Sequence, residues 1–105
     1  MQGTAFIRVE GGFYDGLEWP LDRSSTIVGR GGNADLVLSE ATISRAHAQF
    51  SICGDQVFVK DLGSTNGTMI NGVNGQQNAL SDRDEIKMGR LVLRLFLSPE
   101  ERARG

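Results

Sequence analysis

The 105-residue chain contains a single cysteine, Cys53, and a single histidine, His47. One thiol excludes an intramolecular disulfide and a cysteine-rich metal site, and points to a reducing compartment, with the cytoplasm as the expected location. Cys53 itself reads as a small, semi-buried residue at a strand end. One histidine without a cysteine partner cannot build an ordinary zinc site. Long apolar runs are also missing: the longest extends from Leu91 to Leu97 and is broken by Arg94. The N-terminus shows no basic segment followed by an apolar stretch, so neither a signal peptide nor a membrane span is expected. There is no excess of positive charge, the formal net charge being −2 and the pI about 5.3. A nucleic-acid partner is therefore not expected, because such proteins spread Lys and Arg over a face to replace phosphate counterions. The run Gly29-Arg30-Gly31-Gly32 lacks the Gly-Lys-Ser/Thr ending of a nucleotide loop, and no Gly-x-Ser-x-Gly elbow is present. No cofactor, metal or catalytic residue is implied.

What the chain has in quantity is glycine, fourteen residues, against only two prolines. Glycine is costly inside a helix and free to take positive φ in a turn, so this composition favours short strands joined by tight reversals. Alternation of apolar and polar residues agrees: Ile7 and Val9 share a face, as do Leu17, Trp19 and Leu21, then Ala48, Phe50 and Ile52, then Val57 and Val59, and finally Leu91, Leu93, Leu95 and Leu97. Between them stand Gly11-Gly12, Gly31-Gly32-Asn33, Gly54-Asp55, Asn66-Gly67, Asn71-Gly72 and Asn74-Gly75. The three Asn-Gly pairs each suit the two positive-φ positions of a type I′ turn. Pro20 cannot donate to a ladder, which places Leu17–Leu21 at a sheet edge or beside a bulge. The expected fold is all-β, a sandwich of about ten or eleven short strands. Residues 1–98 form its one domain, and residues 99–105 a polar tail with a faint helical signal over Glu100–Ala103.

Four polar stretches interrupt the strands in order: Gly29-Arg30, Ser44-Arg45-Ala46-His47, Gly63-Ser64-Thr65-Asn66-Gly67-Thr68 and Asn71-Gly72. Arg30 and Arg45 offer forked cations, Ser44 and Thr65 hydroxyl donors, and Asn66 an amide able to hold a peptide backbone; together these can grip a phosphate on an extended chain. Taken singly, each motif also has a plainer reading: a solvated arginine, a polar loop, a turn. His47 could be a metal ligand, the base of a Ser44–His47 hydrolase, or a partly buried ring bracing loops, and the last is the usual role of a lone histidine beside an apolar strand. The aspartates, Asp61, Asp82 and Asp84 among them, sit at turns and read as solvated or backbone-bonded.

The order and spacing of the four motifs resemble the forkhead-associated (FHA) domain, over about Phe6 to Leu97. Leu80, Asp82, Ile86 and Gly89 match that pattern as well. The resemblance implies a phosphothreonine reader with its recognition loops at one end of the sandwich. It makes Arg30, Ser44 and Thr65 phosphate ligands, Arg45 a neighbour of Ser44, and Asn66 a ligand-backbone contact. Gly29, His47, Gly67, Thr68, Asn71 and Gly72 become structural supports. A preference for phosphothreonine over phosphoserine is likewise the family's. The implied function is phosphothreonine-dependent protein–protein interaction, without enzymatic activity, nucleic acid or membrane. The rivals are a phosphate-independent scaffold on the same fold and a Ser44/His47 hydrolase.

Overall fold

The structure is a computed structural model and describes residues 5–75 and 77–97. The predicted tail, its faint helix and the end of the predicted domain lie outside those residues. Two sheets contain the eleven strands found among them. The first joins β1 (Ala5–Val9), β2 (Glu18–Pro20), β7 (Thr68–Ile70), β8 (Val73–Asn74), β10 (Glu85–Met88) and β11 (Leu91–Leu97) in the order β2-β1-β11-β10-β7-β8. The second joins β3 (Ser25–Gly29), β4 (Leu36–Val37), β5 (Ala48–Cys53), β6 (Gln56–Asp61) and β9 (Gln77–Leu80) in the order β4-β3-β5-β6-β9. The all-β expectation and the strand number both hold.

The alternation in the sequence decides which side of each strand is buried. Ala5, Ile7 and Val9 of β1 and Leu91, Leu93 and Leu95 of β11 face inward, with Ile86 and Met88 of β10. Val28, Ala48, Phe50, Val57 and Val59 complete the same core from the second sheet. Each of these side chains larger than alanine gains roughly 1.5–3 kcal/mol from burial, so the period-two pattern is what selects the register. Pro20 lies on β2, an edge strand, opposite Phe6. Leu17 and Leu21 do not belong to that strand, as the alternation suggested: β2 holds only Trp19 of the three, Leu17 is exposed, and Leu21 enters the core after the strand has ended. Cys53 is exposed at the end of β5 rather than semi-buried.

Of the three Asn-Gly pairs, only Asn71-Gly72 has positive φ at both residues, 52° and 84°. It closes the two-residue hairpin between β7 and β8, with Ile70 opposite Val73. Asn66 and Asn74 stay out of the left-handed region: Asn66 sits in a wider loop shaped by side-chain hydrogen bonds, and Asn74 is extended in β8 opposite Met69.

β1 and β11 are antiparallel, with Ala5 opposite Leu97, so the two ends of the described domain lie side by side. Strands β3, β6 and β10 run toward the opposite end and deliver the loops 30–35, 62–67 and 89–90 there. The loop between β1 and β2 reaches that end too, since Glu10 N–H donates to the Val92 carbonyl near the start of β11. Three of the four polar motifs therefore gather on one end of the sandwich, while Asn71-Gly72 turns at the other, beside the start of β10.

Candidate functional site

β3 ends in Gly29, and the reason for glycine is proximity. A Cβ there would collide with the Arg45 carbonyl and approach Ala46 Cα to 3.1 Å. Backbone conformation is not the cause, since Gly29 has no positive φ. The close approach lets Arg30 N–H donate to the Ser44 carbonyl at 3.0 Å and Gly31 N–H to the Arg45 carbonyl at 3.1 Å. These two bonds hold the Arg30 loop against the Ser44 loop. Arg30 Nε also donates to the Ile43 carbonyl at 2.9 Å, which fixes one edge of the guanidinium.

Ser44 occupies a junction. Its Oγ accepts the Thr65 N–H at 3.1 Å, and its N–H donates to His47 Nδ1 at 3.0 Å. A backbone N–H can only donate, so Nδ1 must be unprotonated. The proton then sits on Nε2, which donates to the Gly67 carbonyl at 2.8 Å. His47 is 0% exposed. It is thus a neutral ring with both nitrogens bonded to backbone, one in each of the two loops it separates. Neither nitrogen is bonded to Ser44 Oγ as a hydrolytic base would need.

The loop after β6 is organised by Asp61. Its Oδ2 accepts the N–H groups of Gly63 and Ser64, both at 3.0 Å, and its Oδ1 accepts the hydroxyls of Ser64 at 2.6 Å and Thr68 at 2.7 Å. Ser64 Oγ in turn accepts the Gly67 N–H at 2.9 Å. Burial pushes the Asp61 carboxyl up, but the hydrogen bonds from Ser64 and Thr68 outweigh it and hold its pKa below the usual carboxylate range. Thr65 and Asn66 are consequently presented at the exposed tip of a rigid loop. Asn66 Nδ2 donates to the Thr42 carbonyl at 2.7 Å, which ties this loop to the Ser44 loop and leaves Asn66 Oδ1 for other partners. Thr42 Oγ1 accepts the Arg90 N–H at 2.8 Å and donates to Glu40 at 2.7 Å, joining the β10–β11 turn to the same assembly. The Thr42 hydroxyl and N–H, both donating to Glu40, hold its carboxyl below its ordinary pKa.

Arg30 and Thr65 are therefore each hydrogen-bonded to Ser44, and Asn66 to Thr42 two residues before it. Arg45 is exposed and shares with Arg30 a groove of about 510 Å³, whose walls also include Ile27, Asn33, Ala34 and Ala46. Among the described residues neither Arg30 nor Arg45 forms a salt bridge. Asn71 and Gly72 stand apart from this cluster. Asn71 bonds Glu85 N–H and Asp84 Oδ1 across the first sheet, each at 2.9 Å, and so supports the β9–β10 turn rather than the loop after β6. Sequence reasoning placed Asp61 among ordinary turn aspartates; its signal was the Ser and Thr three and seven residues downstream, suited to an Asx-type turn.

The sequence model of the FHA domain matches residues 26–89, which include every residue of the linked cluster. The chain belongs to the FHA family. An oxoglutarate dehydrogenase inhibitor of Corynebacterium jeikeium is 38% identical over 97% of this chain and 70% of its own length. The glycogen accumulation regulator GarA of Mycolicibacterium smegmatis is 34% identical, and the match covers 93% of this chain but only 62% of GarA. The FHA chain therefore spans part of each relative. Among solved structures, an FHA domain studied for phosphothreonine-dependent interactions superposes with a TM-score of 0.85 at 30% identity, covering 91% of this chain and 98% of its own.

Proposed function

We propose that this FHA domain is a phosphothreonine-dependent protein–protein interaction module in which Arg30, Ser44 and Thr65 take the phosphate, Arg45 adds charge beside it, and Asn66 holds the ligand backbone. The observation that carries this reading is the joining of Arg30 and Thr65 to Ser44, and of Asn66 to Thr42, on one end of the sandwich, next to two guanidiniums that among the described residues have no carboxylate partner. A phosphothreonine brings about −1.5 to −2 charges at neutral pH, and two arginines balance that locally although the chain is acidic overall. His47, Gly29 and Gly67 support the site without touching ligand.

The relatives' names, an inhibitor and a regulator, favour a regulator that acts by binding. A hydrolase would need His47 free to take a proton from Ser44, whereas its two nitrogens are spent on Ser44 N–H and the Gly67 carbonyl. Among the described residues no group of three or more His, Cys, Asp or Glu is placed to hold a metal ion, and no helix is long and apolar enough to cross a membrane.

Calorimetry tests the proposal with the best member of a phosphothreonine peptide library and its unphosphorylated twin. Two charge-assisted bonds at about 1.5–3 kcal/mol each correspond to at least about a hundredfold preference for the phosphorylated form. Equal affinities would overturn it and favour the phosphate-independent scaffold.

A further inference from the structure

Phe13 is 94% exposed, more than any other large apolar residue described. Solitary surface phenylalanines are common enough, so the setting decides whether this one matters. Its loop is firmly built: Gly11 N–H donates to Asp15 Oδ1 at 2.6 Å, Gly16 N–H to the Val9 carbonyl at 2.8 Å, and Leu17 N–H to the Tyr14 carbonyl at 2.9 Å. The Phe13 ring meets the Tyr14 ring edge-on, with centroids 5.0 Å apart and planes at 89°. Tyr14 packs against the core, and its hydroxyl accepts the Ser39 N–H at 2.9 Å. Phe13 is thus held out into solvent on a fixed base, and that base is bonded to the segment that carries Glu40, Thr42 and Ser44.

Distance from the phosphate-gripping residues follows from the chain itself. Ile43 N–H donates to the Glu40 carbonyl at 3.1 Å, a tight turn. A turn of this kind keeps its end Cα atoms within about 7 Å, and one residue on either side adds about 3.8 Å, so Ser39 and Ser44 lie within about 15 Å. An extended peptide advances about 3.3 Å per residue, so a chain anchored at Ser44 comes level with Ser39 in about four or five residues.

The geometry points to Phe13 as a second anchor for the phosphothreonine ligand, receiving one apolar side chain of leucine, isoleucine or phenylalanine type about four to seven residues from the phosphothreonine. This rests on the function proposed above. The occupant is the ligand chain because Phe13 shares its end of the sandwich with the phosphate cluster and connects to it through Tyr14 and Ser39. A rigid, exposed aromatic costs little ordering on binding and gains its full apolar area once covered. A partner marked by phosphorylation would then be told from other phosphothreonine chains by an apolar residue well away from the phosphate.

The test is fluorescence anisotropy with phosphothreonine peptides in a polar background, a single leucine being moved stepwise through about eight positions on each side of the phosphothreonine. The leucine should raise affinity about fivefold or more within one window and nowhere else. Phe13→Ala should abolish that gain while keeping the melting temperature and the affinity for the leucine-free peptide, since its side chain supports neither core nor phosphate cluster. A flat leucine scan, or a window that survives Phe13→Ala, overturns the proposal while leaving phosphate dependence intact. Loss of phosphate dependence in the leucine-free peptide overturns the functional reading itself, and this inference with it. Self-association of the unaltered domain that Phe13→Ala removes in sedimentation would assign the ring to a contact between copies, and so also overturn it.

Discussion

Asp61→Asn should separate the architecture of the site from its charge. The carboxylate accepts four hydrogen bonds, two of them from the backbone of Gly63 and Ser64 on Oδ2 and two from the hydroxyls of Ser64 and Thr68 on Oδ1. An amide can keep one oxygen for the hydroxyls but turns an NH₂ group toward two N–H groups that need an acceptor. Hydrogen bonds to a charged group contribute about 1.5–3 kcal/mol each, and the two backbone donors sit at a partly exposed site, so the loss at neutral pH is about 2–4 kcal/mol. At about 4–8 °C per kcal/mol for a domain of this size, the melting temperature should fall by about 10–25 °C. Thr65 and Asn66 ride on the loosened loop, so phosphopeptide affinity should fall as well, even well below the transition. The difference should depend on pH. Because the folded-state pKa of Asp61 is depressed, its contribution is fully present above its unfolded value of about 3.9 and is lost as pH falls through the folded value. Thermal unfolding of both proteins from pH 7 down to pH 3 checks this. The gap should be widest near neutrality and close in acid; a gap independent of pH would refute the carboxylate's role and leave only a steric effect of the amide.

His47→Ala should cost about 2–4 kcal/mol in denaturant unfolding, because it empties a buried site and strands Ser44 N–H and the Gly67 carbonyl, whereas Arg30→Ala should change stability by less than about 1 kcal/mol yet abolish phosphopeptide binding. Stability unchanged in His47→Ala would move the ring from support to ligand contact. Gly29→Ala drives a methyl into the Arg45 carbonyl, so it should destabilise by at least about 2 kcal/mol and weaken binding by parting the Arg30 and Ser44 loops, measured by melting and anisotropy together. Raising salt from 0.1 to 1 M shortens the Debye length from about 10 to about 3 Å and should weaken phosphopeptide binding moderately, while duplex DNA should bind poorly throughout. Tight, steeply salt-dependent DNA binding in the same titration would contradict the local-charge picture.

Much of this molecule is legible in its residues. Alternation at Ile7 and Val9, at Ala48 and Phe50, and along Leu91–Leu95 marks buried faces because a one-residue slip would expose each set. Pro20 marks an edge because it lacks a donor. The alternation failed at Leu17 and Leu21, where the edge strand is short and its flanks are held by single backbone bonds to β1. Arg30, Ser44, Thr65 and Asn66 could be picked out by chemistry and spacing, but not the means of joining them. The contact that demands glycine at position 29 comes from a segment sixteen residues away, and the bond from Asn66 to Thr42 spans 24 positions. Positive φ at Asn-Gly is a local preference, and it gave way at Asn66, where Asn66 bonds Thr42 and Gly67 bonds Ser64, and at Asn74, where pairing with Met69 keeps the chain extended. Phe13 offered no pattern at all, because its exposure is a property of the folded loop.

The pairing of Ala5 with Leu97 puts the two ends of the described domain about 5 Å apart, remote from Arg30 and Ser44. Such a domain behaves as a plug-in unit. Spliced into a surface loop of another protein, it would disturb its host no more than a narrow two-strand stalk does, and it would point its reading end away from the graft. The same closeness makes it a natural subject for circular permutation: joining Ala5 to Leu97 with a short glycine-serine bridge and reopening the chain at the exposed Gly54-Asp55 hairpin should leave the Arg30, Ser44 and Thr65 loops covalently intact.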